Sequence, residues 1–288
     1  MLAIVLALAS AIGYGGSDFA AGLAARGAGV IQVTLLASAV SAAVVAAALP
    51  FAASPGPSTA ALGWGFAAGF GGTLGAFALY LGFRHAAFSV AGPLSAVGAA
   101  GFSVLAGLLL GERPTSLALA GIVLALPAIV GVSASAASGG PADRPVAGVV
   151  LGLLAGACFA LLFIGLDRAG SGHGLWPVAA TAAGELVAAL GAVAATRGFR
   201  LHSFLPHGAR ARWLAALTGV TGSTGTILFF FATHEGFLAI TAVLTSLYPA
   251  VTIVLARTIL GERLTVLRLA GLGLAGACVA LIAVGGAG

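Results

Sequence analysis

Charge is what this sequence has least of. Only 7% of its 288 residues are Asp, Glu, Lys or Arg, and lysine is absent altogether. A soluble domain covers its surface with about a quarter charged residues, so a water-facing fold is excluded. The missing lysine also removes the Gly-x4-Gly-Lys-Ser/Thr phosphate loop, and with it an ATP-driven pump of the usual kind. Cysteine is nearly missing as well. Cys158 and Cys278 both fall inside apolar runs, where a small packing residue is a better account than a disulfide or a metal ligand. There is no HExxH, no GxSxG and no paired-Asp cluster for a metal–pyrophosphate. Seven acids and five histidines are too few for most such sites. The chain therefore reads as no enzyme, with no metal site and no cofactor. The alternatives kept open at this point are a polytopic intramembrane enzyme and a non-transporting membrane scaffold.

What is present is apolar. Hydrophobic residues make up 60% of the chain, and its mean hydropathy is +1.16. A helix crosses a bilayer with about 20 apolar residues. This chain consists largely of such runs, so it reads as an all-α polytopic membrane protein. The net charge is +5, and all twelve basic residues are Arg. They stand scattered at the ends of apolar runs, as interfacial anchors do, and not on one face as nucleic-acid binding needs. The first residues carry neither a basic n-region nor a cleavage site, so the segment from Met1 reads as a first span.

Pro, Gly, Ser and charge collect at the breaks between runs. Reading between them gives ten candidate helices: 2–23, 29–51, 61–83, 87–110, 115–134, 146–166, 175–196, 213–233, 237–260 and 265–285. The linker-like SASAASGGPADRP (Ser133 to Pro145) separates a five-helix unit at 1–134 from another at 146–288, with 135–145 between them.

The two units share a phrase. LLLGERPTSLALAGI (Leu108 to Ile122) returns as TILGERLTVLRLAGL (Thr258 to Leu272). Stretches 111–125 and 261–275 match at ten of fifteen positions. A fixed long offset marks an internal repeat. In each copy the phrase closes the fourth helix and opens the fifth. Gly111 and Gly261 suit the left-handed residue that ends a helix. Thr115 and Thr265 suit the N-cap of the next, with Glu112 and Glu262 close to its positive end. Capping explains that spacing without a ligand, so the two glutamates read first as hairpin residues. Five spans per unit also make the second unit cross the membrane in the opposite sense. Such inverted repeats are typical of secondary transporters, with the solute site near the midplane between the halves.

Two five-helix units, each carrying LGERxTxxxxAG at the same place, resemble the drug/metabolite transporter superfamily, EamA branch. Tyr14 in helix 1, Tyr80 closing helix 3, Pro93 in helix 4 and SLYPAV (Ser246 to Val251) in helix 9 add to the likeness, which covers essentially the whole chain. The resemblance implies a basket of ten helices in a bacterial-type plasma membrane. It implies a carrier that moves small metabolites, often amino acids or drugs, outward by alternating access, with both termini in the cytoplasm.

The arginines point the other way on orientation. Loops after the odd helices carry Arg26, Arg84, Arg144, Arg197, Arg200, Arg210, Arg212, Arg263 and Arg268; loops after the even helices carry only Arg113 and Arg168. Basic loops favour the cytoplasm, which puts both termini outside.

Helix interfaces in lipid are built from small side chains. Gly65 and Gly69, Gly71 and Gly75, and Gly148, Gly152 and Gly156 form ladders of that kind. Pro93, Pro127 and Pro249 stand inside spans, where each frees a backbone carbonyl. Pro93 and Pro249 are candidate gate positions, or static kinks.

Only two acids fall well inside a span, Asp18 and Glu185. At that depth an acid faces protein or a water-filled cavity. Asp18 shares a small-residue face with Ala7, Ala11, Tyr14, Gly15, Ala21 and Gly22, opposite Val5, Leu8, Ile12, Phe19 and Leu23. Its place in the second repeat aligns with Phe163, so symmetry does not demand an acid there. Glu185 lies with Thr181, Ala188, Ala189 and Ala192. For Asp18 a role in transport, as proton acceptor or partner for a substrate amine, takes precedence. For Glu185 that role and a structural buried carboxyl stand level. Tyr14, Ser17, Tyr80, Ser246 and Tyr248 complete the candidate solute site. The expected partners are a small-molecule solute, with proton coupling as one option, and the lipid bilayer.

Overall fold

The computed structural model describes residues 1–25, 27–52, 54, 56–85, 88–133, 145–197, 205–261 and 265–285, with the backbone alone at 80, 82–85, 88–93, 133, 145 and 197. All regular structure among them is helical. The first half runs α1 (Leu2–Ala25), α2 (Val30–Ala48), α3 (Thr59–His85), α4 (Phe88–Leu109) and α5 (Ser116–Ser133). The second runs α6 (Pro145–Arg168), α7 (Trp176–Arg197), α8 (Ala209–His234), α9 (Leu238–Thr245), α10 (Tyr248–Leu260) and α11 (Val266–Gly285).

Eight segments are long and apolar enough to cross a membrane, the pair α9–α10 counting as one. Shorter apolar stretches, Leu94–Leu109 and Ser116–Val132, lie in α4 and α5. The sequence pattern predicts ten full spans; eight meet the length and hydropathy of a span among the described residues. The expected ninth helix, 237–260, is also not continuous. Pro249 has no N–H to return to the preceding turn, so the ladder stops and restarts. Ser246 and Leu247 sit at the break with ψ of −2° and 3°, and Pro249 falls in the first turn of α10, where no N–H is needed. In the first half, Ala99 stands where the repeat has Pro249, and α4 runs through unbroken. Pro127, by contrast, is held inside α5.

The repeated turn forms as its residues dictate. Gly111 and Gly261 have φ of 96° and 70°, in the left-handed region that favours glycine. Thr115 Oγ1 accepts from the Ala118 N–H at 3.2 Å, and Thr265 Oγ1 accepts from the Arg268 N–H at 3.3 Å, so both threonines cap the helix that follows.

Where the two turns sit follows from α5 and α11, which pack antiparallel. Thr115 Oγ1 at the start of α5 donates to Gly285 O at the end of α11, 2.9 Å away. A methyl group on Gly121 would lie 2.7 Å from Ile282 and 3.1 Å from Cys278 O. One on Gly271 would strike the Val132 N–H and lie 3.0 Å from Ala128 O. Residues 121, 128 and 132 become 271, 278 and 282 at the repeat offset, so each glycine meets the counterparts of the other's partners. Antiparallel pairing places the Gly111–Thr115 turn and the residues flanking the second turn, Gly261 and Thr265, at opposite ends of the bundle.

The closest helix pairings all join the two halves: α1 with α8, α3 with α6 and α7, α4 with α6, and α5 with α11. They are close because small residues let backbones approach. A methyl on Gly13 would lie 2.8 Å from the Gly225 Cα, and one on Gly156 would lie 2.8 Å from the Gly98 Cα. Gly65 and Gly69 back onto carbonyls of α7, and Gly71 and Gly75 onto α6. Polar pins reinforce the seams: Ser10 Oγ donates to Gly225 O at 2.8 Å, and Thr252 Oγ1 donates to Gly15 O at 3.1 Å. The two faces of α1 separate only in part: Val5 and Ile12 are exposed and Ala7 and Ala11 buried, but Leu8 of the bulky stripe packs against the core, and Asp18 and Gly22 of the small face are exposed.

Candidate functional site

One cavity, about 170 Å³ in volume, opens between α1, α2, α3, α6, α7 and α8. These are the first three helices of each half. Asp18 and Glu185 both line it, together with Tyr14 and Ser17. Asp18 lines the cavity and is itself exposed by more than a third of its surface. It makes no hydrogen bond among the described residues. Glu185 is held: Ser41 Oγ donates to its Oε2 at 3.1 Å, and Thr73 Oγ1 to its backbone carbonyl at 3.4 Å. Glycines set its position. A methyl on Gly69 would run into Thr181 O and lie 2.9 Å from the Glu185 N–H, so only glycine lets α3 and α7 come this close.

Hydroxyls supply most of the remaining polar wall. Thr34, Ser38 and Ser41 come from α2, Thr73 from α3, and Thr218, Ser223 and Thr226 from α8. Sequence reasoning misses all of them. The available signal is spacing: 34, 38 and 41 recur at helical period on one face of α2. The apolar wall includes Val33, Ala37, Leu79, Phe159 and Leu162. Phe163, the counterpart of Asp18, is buried beside the cavity, its ring 4.5 Å from Phe229 and 6.4 Å from Tyr14 between centroids.

Other candidates lie elsewhere. Ser246 is fully buried at the α9–α10 break, and its hydroxyl has no partner among the described residues. Tyr248 and Pro249 open α10, with Tyr248 against the cluster of Ile4, Ala7 and Leu244. Neither Ser246 nor Tyr248 lines the cavity. Pro93 is within α4 and Tyr80 within α3, but their side chains, and Glu262 as a whole, lie outside the described residues.

Glu112 corrects a local reading. It does not serve the helix that follows it. Its carboxylate reaches into the other half and accepts the backbone N–H groups of Leu238 and Ala239, the latter at 2.9 Å. Those are orphan donors at the start of α9, where negative charge is favoured. Glycine makes the reach possible: Glu112 N–H closes on Gly107 O at 2.9 Å, and a side chain on Gly107 would occupy the carboxylate's place. Burial pushes the Glu112 carboxyl above the usual range, opposed by the two N–H groups and assisted by the charge of Asp167. Replacing Glu112 by Gln removes the charge and one good acceptor. Glu112→Gln is expected to lower stability by about 1–2 kcal/mol, read from thermal unfolding in detergent. An unchanged melting temperature would mean the cap contributes nothing.

The geometry defines a class: a polytopic helical membrane protein of two interlocked repeats around a partly open cavity lined by two acids and several hydroxyls. The EamA-like transporter family matches this chain over residues 1–134 and 146–284. The chain therefore belongs to that family, within the drug/metabolite transporter superfamily, and is an integral membrane protein. A solved crystal structure is similar at 20% identity, with a TM-score of 0.72 over 95% of each chain, which speaks to the fold. No match is found among curated proteins.

Proposed function

We propose that this chain is a secondary carrier that moves small solutes outward across a bacterial-type plasma membrane by alternating access, and that the Asp18–Glu185 cavity is its solute site. One observation carries the reading: the two membrane-depth acids, one from each half, open onto the same cavity between the first three helices of the two repeats. A binding site shared by both halves is what an inverted repeat needs if rocking one half against the other is to expose it to each side in turn. Export follows the resemblance to the family; with no phosphate loop in the sequence, a solute or proton gradient supplies the energy or the transport is facilitative.

Thermal unfolding of the purified protein against a metabolite panel tests the reading. A solute that binds the folded state raises the melting temperature, and the same solute is expected to show counterflow in proteoliposomes. A binder that is never transported would overturn it. Orientation is tested separately. The arginine bias places the C-terminus outside, so a C-terminal reporter active only in the cytoplasm is expected to be silent; activity would reverse the assignment.

A further inference from the structure

The cavity wall is short of hydrogen-bond donors. A serine or threonine hydroxyl has one hydrogen to give and two lone pairs to offer. Nine hydroxyls line the cavity, from Tyr14, Ser17, Thr34, Ser38, Ser41, Thr73, Thr218, Ser223 and Thr226. Seven have their hydrogen committed. Ser17 donates to Thr218 O at 3.1 Å, Ser41 to Glu185 Oε2 at 3.1 Å, and Thr73 to Glu185 O at 3.4 Å. On α8, Thr218, Ser223 and Thr226 donate to the carbonyls of Leu214, Val220 and Gly222. Thr226 has thus spent its hydrogen, so in its 3.0 Å contact with Tyr14 the phenol is the donor. Only Thr34 and Ser38 keep a hydrogen uncommitted to any described residue. Among the described residues, no arginine or histidine lines the cavity, and its titratable groups are Tyr14, Asp18 and Glu185.

Such a wall offers lone pairs and two carboxyls, and almost nothing to a ligand that needs donors. A carboxylate or phosphate would lose its hydration and meet like charge. An ammonium has only donors, and it would find acceptors in the Asp18 carboxyl and the hydroxyl oxygens. The rest of the wall is apolar, through Val33, Leu79, Phe159 and Leu162, so the ligand has an apolar body as well. Size is a guide: an enclosed cavity of about 150 Å³ holds a benzene molecule, and this one, which is partly open, is about 170 Å³.

We infer that the cavity selects a small organic ammonium ion of about the size of a substituted benzene, its charged head on Asp18 and its body against Leu79, Phe159 and Leu162. The inference rests on the reading of this cavity as the solute site. Glu185, already held by Ser41, fixes the field of the site, while Asp18 is the carboxyl free to meet the ligand.

Three probes of one shape separate the chemistries: benzylammonium, benzyl alcohol and benzoate, each titrated against the purified full chain in nanodiscs at constant ionic strength. Benzylammonium is expected to raise the melting temperature and to bind about tenfold or more tighter than benzyl alcohol, the size of a charge-assisted hydrogen bond. Benzoate is expected to give no shift. Asp18→Asn is expected to abolish the preference for the ammonium while leaving the ligand-free melting temperature close to the parent's. Should that variant fail to fold, the three-probe comparison on the parent protein still decides. Equal binding of all three probes, stronger binding of benzoate, or an equal shift with sodium or magnesium chloride alone would overturn the inference. Thr34→Trp, which fills the cavity at a residue with no hydrogen bond to lose, separates the two levels. If benzoate binds and Thr34→Trp blocks it, the site is right and the ligand class is wrong. If benzylammonium binds Thr34→Trp as it binds the parent, the cavity is not the site.

Discussion

Asp18→Asn is expected to fold and insert as the parent does but to carry its solute roughly ten- to a hundredfold more slowly, the worth of one charge-assisted contact. Asparagine keeps the shape and leaves the acceptor oxygen. What it loses is the charge and the capacity to exchange a proton. The carboxyl it replaces makes no hydrogen bond among the described residues, so its removal leaves no neighbour unsatisfied. That is why stability is expected to hold while transport fails. Flux into proteoliposomes over a range of pH is the measurement. The profile is expected to flatten as well, with Glu185 the remaining acid in the cavity. A native rate with a native pH profile would remove Asp18 from the site. A variant that no longer folds would assign it a structural role instead.

Two single methyl groups are expected to have opposite effects on stability. Gly69→Ala places a methyl in the space already filled by Thr181 O and beside the Glu185 N–H. Neither obstacle is the flexible end of a side chain, so α3 and α7 must part. Overpacking of this kind costs about 1–3 kcal/mol, and more where backbone is the obstacle. Gly191→Ala, on α7 with nothing within 4 Å of the new methyl, has no such obstacle. There the gain in helix propensity, up to about 1 kcal/mol, is all that remains. The pair is read by thermal unfolding in one detergent. Gly69→Ala is expected to melt well below the parent, and to lose transport with it, because the backbone it displaces carries Glu185. Gly191→Ala is expected to melt at or above the parent. Equal melting temperatures would mean that the glycine seam does not hold α3 to α7.

Much of the fold is legible in the amino-acid sequence, because membrane helices announce themselves by length and apolarity. The LGER turn is local too: a glycine for the left-handed residue and a threonine for the cap act within five positions. The break between α9 and α10 is harder to read. Proline marks it, but Pro127 shows that a proline can also be kept inside a helix, and packing decides which. Glu112 defeats a local reading because its partners lie 126 and 127 positions along the chain, which spacing cannot reveal. The cavity divides the same way. An acid in an apolar run is conspicuous, so Asp18 and Glu185 stand out. The hydroxyls of α8 do not, because a threonine bonded to its own helix looks alike whether it faces a cavity or a neighbour. Ser246 and Tyr248 stand out by residue type and lie away from the cavity, since type alone does not say which side of a helix looks inward.

The pairing of every major helix with one from the other half bears on how the protein is made. When α1 to α5 have left the ribosome, none of their principal partners has yet been synthesised. The glycine seams of α1 and α3 then have only lipid, or the insertion machinery, against them until α6, α7 and α8 arrive. The two repeats are thus alike in sequence without packing as two separate units.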